Sequence, residues 1–169
     1  MAISPIVARL YGAKQAALIG RYTRQACCLS LVAGIFVIFI MQTYVISIMN
    51  IIGIDPEFRH LVVDYLKAII FGAPGIFLFL VFRYTTEGIG YTRPVMYASL
   101  IALVLNVFFN YVFMFGNFGS PALGVLGCGM ASAISMWLVF CFLSLYVYFD
   151  SRYKHLNIFS LITAFRLSI

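Results

Sequence analysis

Asn106 and Asn110 stand one helical turn apart in Asn106-Val-Phe-Phe-Asn110, and no charged residue occurs between Pro94 and Phe149 on either side of them. A carboxamide surrounded by Leu, Val, Ile and Phe, with no water to bond, is costly unless something satisfies it. Two chemistries meet that need. The amides can clamp neighbouring helices through hydrogen bonds worth about 0.6 to 2 kcal/mol each. Alternatively their carbonyl oxygens can line a hydrated site for a hard cation, which prefers oxygen ligands. The pattern leaves both open. Two amides do not make an ion site by themselves, and the chain offers no carboxylate at that depth.

A second set of small and polar residues follows. Gly116-Asn-Phe-Gly-Ser-Pro-Ala-Leu-Gly124 interrupts the apolar run, and Gly127-Cys-Gly-Met-Ala-Ser132 opens a new one. Gly124, Cys128, Ser132 and Ser135 fall on one helical face, a stripe that would let another helix approach closely. Ser99, Asn106, Asn110 and Asn117 share a face of the preceding run by the same spacing. Two membrane helices joined by a tight turn, with polar groups between them, are therefore expected. Catalysis would need a nucleophile with its base, a His/Glu metal motif or a buried carboxylate pair. None is present, so no enzymatic activity is expected. His60 and His155 lie in polar connectors, and Gly88 and Gly90 read as turn glycines rather than a nucleotide loop.

Composition fixes the solvent these elements occupy. The 169 residues are 64% hydrophobic and only 9% charged, with a mean hydropathy of +1.05, far from the roughly 25% charged residues of soluble domains. The chain is an integral membrane protein, all-α, built as a polytopic helix bundle. Its formal net charge of +6 does not point to nucleic acid, because the basic residues are scattered between apolar runs instead of gathered on one face. Cys27, Cys28, Cys128 and Cys141 all fall in apolar runs without metal-ligand spacing, so neither disulfides nor zinc are expected.

Four full spans are predicted, at 26–50, 61–82, 95–115 and 124–149, with partial helices at both ends. Residues 1–8 read as the tail of a helix, and 158–169 as the start of an apolar stretch too short to cross, so both ends look cut from a larger membrane protein. Lys and Arg number four, one, two, none and two in the five successive connectors, an alternation that places the first, third and fifth on the cytoplasmic side. Arg9, Lys14, Arg21 and Arg24 make the first connector. Asp55, Glu57 and Asp64 make the second acidic, and Asp64 can pair with Lys67 at i, i+3. Gly72-Ala-Pro-Gly75 predicts a mid-span kink. Thr92 and Pro94 predict the start of the third span. Gln42 and Thr43 are expected to bond a neighbouring helix or the backbone. Tyr84, Tyr91, Tyr97, Tyr146, Tyr148 and Tyr153 suggest an aromatic belt at the cytoplasmic ends.

Pro5-Ile-Val-Ala-Arg-Leu-Tyr-Gly-Ala13, Glu87-Gly-Ile-Gly-Tyr-Thr-Arg-Pro94, Leu105-Asn-Val-Phe-Phe-Asn-Tyr-Val-Phe-Met-Phe-Gly116 and Gly119 through Ser132 together closely resemble NorM-type members of the multidrug and toxic compound extrusion (MATE) transporters. The resemblance covers essentially the whole chain, residues 1–169. It implies a twelve-helix protein of two six-helix lobes in the bacterial inner membrane, which exports cationic drugs by antiport with Na+ or H+ and needs no cofactor. This chain would supply part of the first lobe: the end of helix 2, helices 3 to 6 and the start of the linker. The resemblance also implies a cation site made by an acidic residue of helix 1 with positions matching Asn106, Asn110, Cys128 and Ser132. Ser132 stands where threonine is common, which keeps a hydroxyl. Helix 1, its carboxylate and the second lobe lie outside this sequence. The rival readings are a lipid-linked saccharide flippase of the same superfamily, which would call for more basic cavity residues than Lys67, and an inert truncated membrane protein.

Overall fold

In a computed structural model, the structure describes residues 3–53, 55–119, 121–154, 156 and 158–159. Among the described residues, seven α-helices follow in order: α1 (Ile3–Gly12), α2 (Ala16–Ile52), α3 (Pro56–Ile69), α4 (Ala73–Gly88), α5 (Arg93–Phe115), α6 (Gly124–Phe149) and the single turn α7 (Ser151–Lys154). Among the described residues, four segments are long and apolar enough to cross a membrane: Ala16–Ile52, Glu57–Gly88, Arg93–Phe115 and Gly124–Phe149. The expected helical bundle is thus present. Residues 1, 2, 54, 120, 155, 157 and 160–169 lie outside the described set, and with them His155 and most of the terminal apolar stretch.

Helix α2 begins ten residues before the predicted span and carries Arg21 and Arg24 on its first turns. A helix satisfies its backbone internally, so it need not stop where the hydrocarbon does. The first connector shrinks to residues 13–15, with Lys14 at a positive φ of 57°. At the far end Gly53 takes the left-handed conformation and returns its N–H to the carbonyl of Met49. Thr43 donates to the carbonyl of Phe39 at 2.8 Å. Asp55 caps α3 by accepting the N–H of Glu57 at 3.1 Å.

Between α3 and α4 the chain tightens into one 3-10 turn, Ile70–Gly72. Pro74 cannot donate a backbone hydrogen bond. The carbonyl of Ile70 accepts instead from Ala73, and the carbonyl of Phe71 accepts the indole N–H of Trp137 on α6 at 3.0 Å. The predicted break is therefore real, and a side chain from another helix completes it.

Helix α6 is the hub, packing against α3, α4 and α5. Close approach depends on Gly127 and Gly129 rather than on the predicted stripe. A Cβ at Gly127 would lie 2.6 Å from the carbonyl carbon of Phe113 on α5, and one at Gly129 2.7 Å from the carbonyl oxygen of Tyr65 on α3. Gly124, by contrast, faces open space. The main core joins Val7, Ile19, Phe82, Val95, Ala98, Leu143 and Val147, and Tyr153, Leu156 and Ile158 fold back into it. Tyr153 is buried and so is not part of the aromatic belt. A smaller core of Val45, Met49 and Val63 ties α2 to α3 at the opposite end.

Leu29, Val32, Phe36 and Phe39 on α2, and Leu100, Leu103, Val104 and Val107 on α5, are exposed. In lipid those faces are simply solvated. Asp64 and Lys67 do not pair with each other, whereas Arg83 and Glu87 on the same span do, at 2.8 Å. Thr92 precedes α5 as predicted, but its backbone is already helical and its hydroxyl makes no cap bond.

Candidate functional site

Helix α5 starts at Arg93 with Pro94 in its first turn and ends where Gly116 adopts φ 74°. That length puts Asn106 and Asn110 in its second half, both half-buried. The amide nitrogen of Asn110 donates back one turn, to the backbone carbonyl of Asn106 at 2.9 Å and to its side-chain Oδ1 at 3.0 Å. This fixes the Asn110 carboxamide along the helix. Its Oδ1 is then left enclosed, without a hydrogen-bond partner among the described residues.

Across the interface, Asn106 Nδ2 approaches Ser132 Oγ on α6 at 3.5 Å, the long limit for such a bond. The two helices can come this close because Gly127 lies directly against the Phe113 backbone. Asn106, Asn110 and Ser132 are thus brought together. Cys128, a half-buried free thiol one turn earlier on α6, makes no hydrogen bond with them. Ser135 belongs elsewhere: its hydroxyl is buried and donates to the carbonyl of Ala131 at 2.8 Å.

Two other members of the predicted polar face also separate from the pair. Asn117 lies beyond the end of α5 and donates to the carbonyl of Tyr111 at 3.2 Å, acting as a terminal cap. Ser99 is exposed. A spacing rule assumes that the helix continues, and here Gly116 ends it before Asn117.

Sequence reading missed a second polar cluster, where α1, α2 and α4 meet. Thr23 and Thr85 are buried, donate to the carbonyls of Ile19 and Val81, and place their hydroxyls 3.3 Å apart. Thr86 beside them bonds the carbonyl of Arg83. These hydroxyls satisfy themselves on their own helices, so they suit packing more than binding.

The oxygens of this linked trio are neutral and hard: Asn106 Oδ1 with spare lone-pair capacity, the enclosed Asn110 Oδ1 with none used, and Ser132 Oγ across the α5–α6 interface from Asn106. An enclosed carbonyl oxygen without a partner costs roughly 1–3 kcal/mol. A water molecule or a partly dehydrated hard cation would recover that cost.

The sequence matches the MatE family profile over residues 1–112, a stretch that includes both asparagines. The chain belongs to the MATE family. Among similar proteins, the multidrug resistance protein NorM of Vibrio parahaemolyticus is 36% identical over 160 residues, covering 94% of this chain and 35% of that protein. The multidrug resistance protein MdtK of Photorhabdus laumondii is 36% identical over 147 residues, covering 87% of this chain and 32% of that protein. This MATE chain therefore spans about a third of the length of the curated relatives it matches. Its fold matches a solved structure described as the inward-facing conformation of a multidrug resistance MATE family transporter of the MOP superfamily. There the TM-score is 0.80 at 22% identity, over 88% of this chain and 33% of the other.

Proposed function

We propose that this MATE chain forms part of the first lobe of a transporter in the bacterial inner membrane that exports cationic drugs in exchange for Na+ or H+. In this reading the cation binds between α5 and α6. Asn110 Oδ1 and Asn106 Oδ1 are ligands, Ser132 Oγ completes the set from this chain, and Cys128 borders it as a small wall. Further ligands would come from water or from a segment outside these residues. The observation that carries the reading is the enclosed, unpartnered oxygen of Asn110, held in place by its own amide. Amides and hydroxyls do not titrate near neutral pH, so the groups contributed here favour Na+ as the coupling ion.

Coupling follows from differential affinity. A cation that bridges α5 and α6 in one packing and not in another shifts the population of inward and outward states by the difference in its two binding free energies. Drug export then draws on the ion gradient, and no bond is made or broken.

The test is Asn110→Ala in a full-length transporter carrying this segment, read as ethidium efflux from membrane vesicles with and without an imposed Na+ gradient. Loss of one ligand is expected to weaken apparent Na+ affinity about tenfold, the effect of roughly 1.4 kcal/mol, with normal membrane insertion. Unchanged Na+-dependent efflux would leave the amides as a helix clamp and defeat the proposal.

A further inference from the structure

A groove of about 460 Å³ runs between α3 and α6, with Asp64 and Lys67 at one end and Phe71, Leu126, Met130 and Ile134 along it. Asp64 and Lys67 lie one turn apart on α3, yet they form no ion pair with each other. An opposite-charge pair at this spacing ordinarily associates on a helix surface. Here both charges border an apolar trough instead.

Depth gives the arrangement its meaning. Nineteen positions of one span separate Asp64 from Arg83, about 28 Å at roughly 1.5 Å per residue, close to the ~30 Å hydrocarbon core. With Arg83 at one interface, Asp64 sits at the other, and Lys67 lies a turn inside it, within snorkelling reach of the headgroups. The groove therefore starts at headgroup level and continues into the acyl region.

We propose that this groove binds a zwitterionic phospholipid with a primary ammonium, a phosphatidylethanolamine, with its phosphate on Lys67, its ammonium on Asp64 and part of one acyl chain against Phe71, Met130 and Ile134. Charge complementarity selects the class. An anionic lipid would satisfy Lys67 and oppose Asp64, and a lipophilic cation would do the reverse. A quaternary ammonium cannot donate the hydrogen bond that the Asp64 carboxylate accepts, so phosphatidylethanolamine is preferred over phosphatidylcholine. The site is separate from the asparagine pair on α5 and does not rest on the coupling proposal.

The chain, purified and stripped of native lipid, is incubated with equimolar phosphatidylethanolamine, phosphatidylcholine and phosphatidylglycerol, and retained lipid is counted by native mass spectrometry. Preferential retention of phosphatidylethanolamine is expected. Asp64→Asn should lower its preference over phosphatidylcholine about fivefold, as loss of one charge-assisted hydrogen bond implies. Lys67→Gln should lower retention of both zwitterionic lipids, and Met130→Trp, which fills the groove, retention of every lipid. Asp64→Asn and Lys67→Gln change exposed or half-buried side chains, and circular dichroism checks that helicity is kept. Equal retention of phosphatidylglycerol, or indifference to both charge variants, would overturn the proposal. Displacement of the bound lipid by tetraphenylphosphonium, dependent on Asp64 alone, would also overturn it and assign the groove to lipophilic cations.

Discussion

Gly127 has no space for a side chain, because a Cβ there would fall on the Phe113 carbonyl and the neighbouring nitrogen of Met114. Backbone cannot swing aside as a flexible side chain can, so Gly127→Ala must separate α5 from α6. A cost of about 1–3 kcal/mol is expected, as for overpacking of a dense interior, read as a lower unfolding midpoint in detergent micelles. The same change should lengthen the Asn106 to Ser132 approach. Tyr153 presents a different residue-scale case. Its hydroxyl is enclosed without a partner among the described residues, and burial first, then the charges of Asp150 and Tyr146, push its pKa from 10.0 to about 12, with Arg152 opposing. Folding therefore favours the neutral phenol. That contribution is complete below pH 10.0 and disappears as pH rises through about 12. Tyr153→Phe should remove this part of the alkaline loss, measured as a flatter dependence of the unfolding midpoint on pH above 10.0.

At the scale of elements, the α3–α4 break depends on α6. Trp137→Phe keeps an aromatic ring beside Gly75 but deletes the bond to the Phe71 carbonyl. A loss of about 0.5–1.5 kcal/mol is expected, together with faster amide hydrogen exchange in residues 70–76; unchanged exchange there would mean that the turn holds itself. The sequence announced this break through Pro74 and Gly75 but not its partner, since nothing local tells a carbonyl which indole will reach it. Span number, the α5–α6 turn and the polar pair were legible for a simple reason: hydropathy and charge spacing are properties of single segments. Helix limits were less so, as Arg21 and Arg24 lie on α2 although their charge suggested a connector. The face through which α6 is approached was also misread. Small size at helical spacing nominated Gly124, Cys128, Ser132 and Ser135, whereas the crossing geometry of α3 and α5 uses Gly127 and Gly129 and leaves Gly124 facing open space.

For the molecule as a whole, two independent patterns give the bundle a polarity. The basic connectors alternate with poor ones along the chain, and the structure draws the basic ends together. The Arg152 guanidinium lies 4.2 Å over the Tyr91 ring, joining α7 to the α4–α5 loop, while Gly88 at the end of α4 packs on Ser4 and Val7 of α1. Two connectors predicted to share the cytoplasmic face are thus in contact at one end, where α1, which leads into the third such connector, also packs, and the α2–α3 and α5–α6 turns lie at the other. Orientation follows from which end stays inside. With Cys27, Cys28, Cys128 and Cys141 replaced by alanine, His60→Cys should react with a membrane-impermeant maleimide added to intact cells. Thr92→Cys, equally exposed in the structure, should react only after permeabilisation. Inverted labelling would reverse the topology and move the Asp64 and Lys67 groove to the cytoplasmic leaflet. Labelling of both positions in intact cells would break the four-span arrangement itself, because residues 60 and 92 are separated by a single crossing.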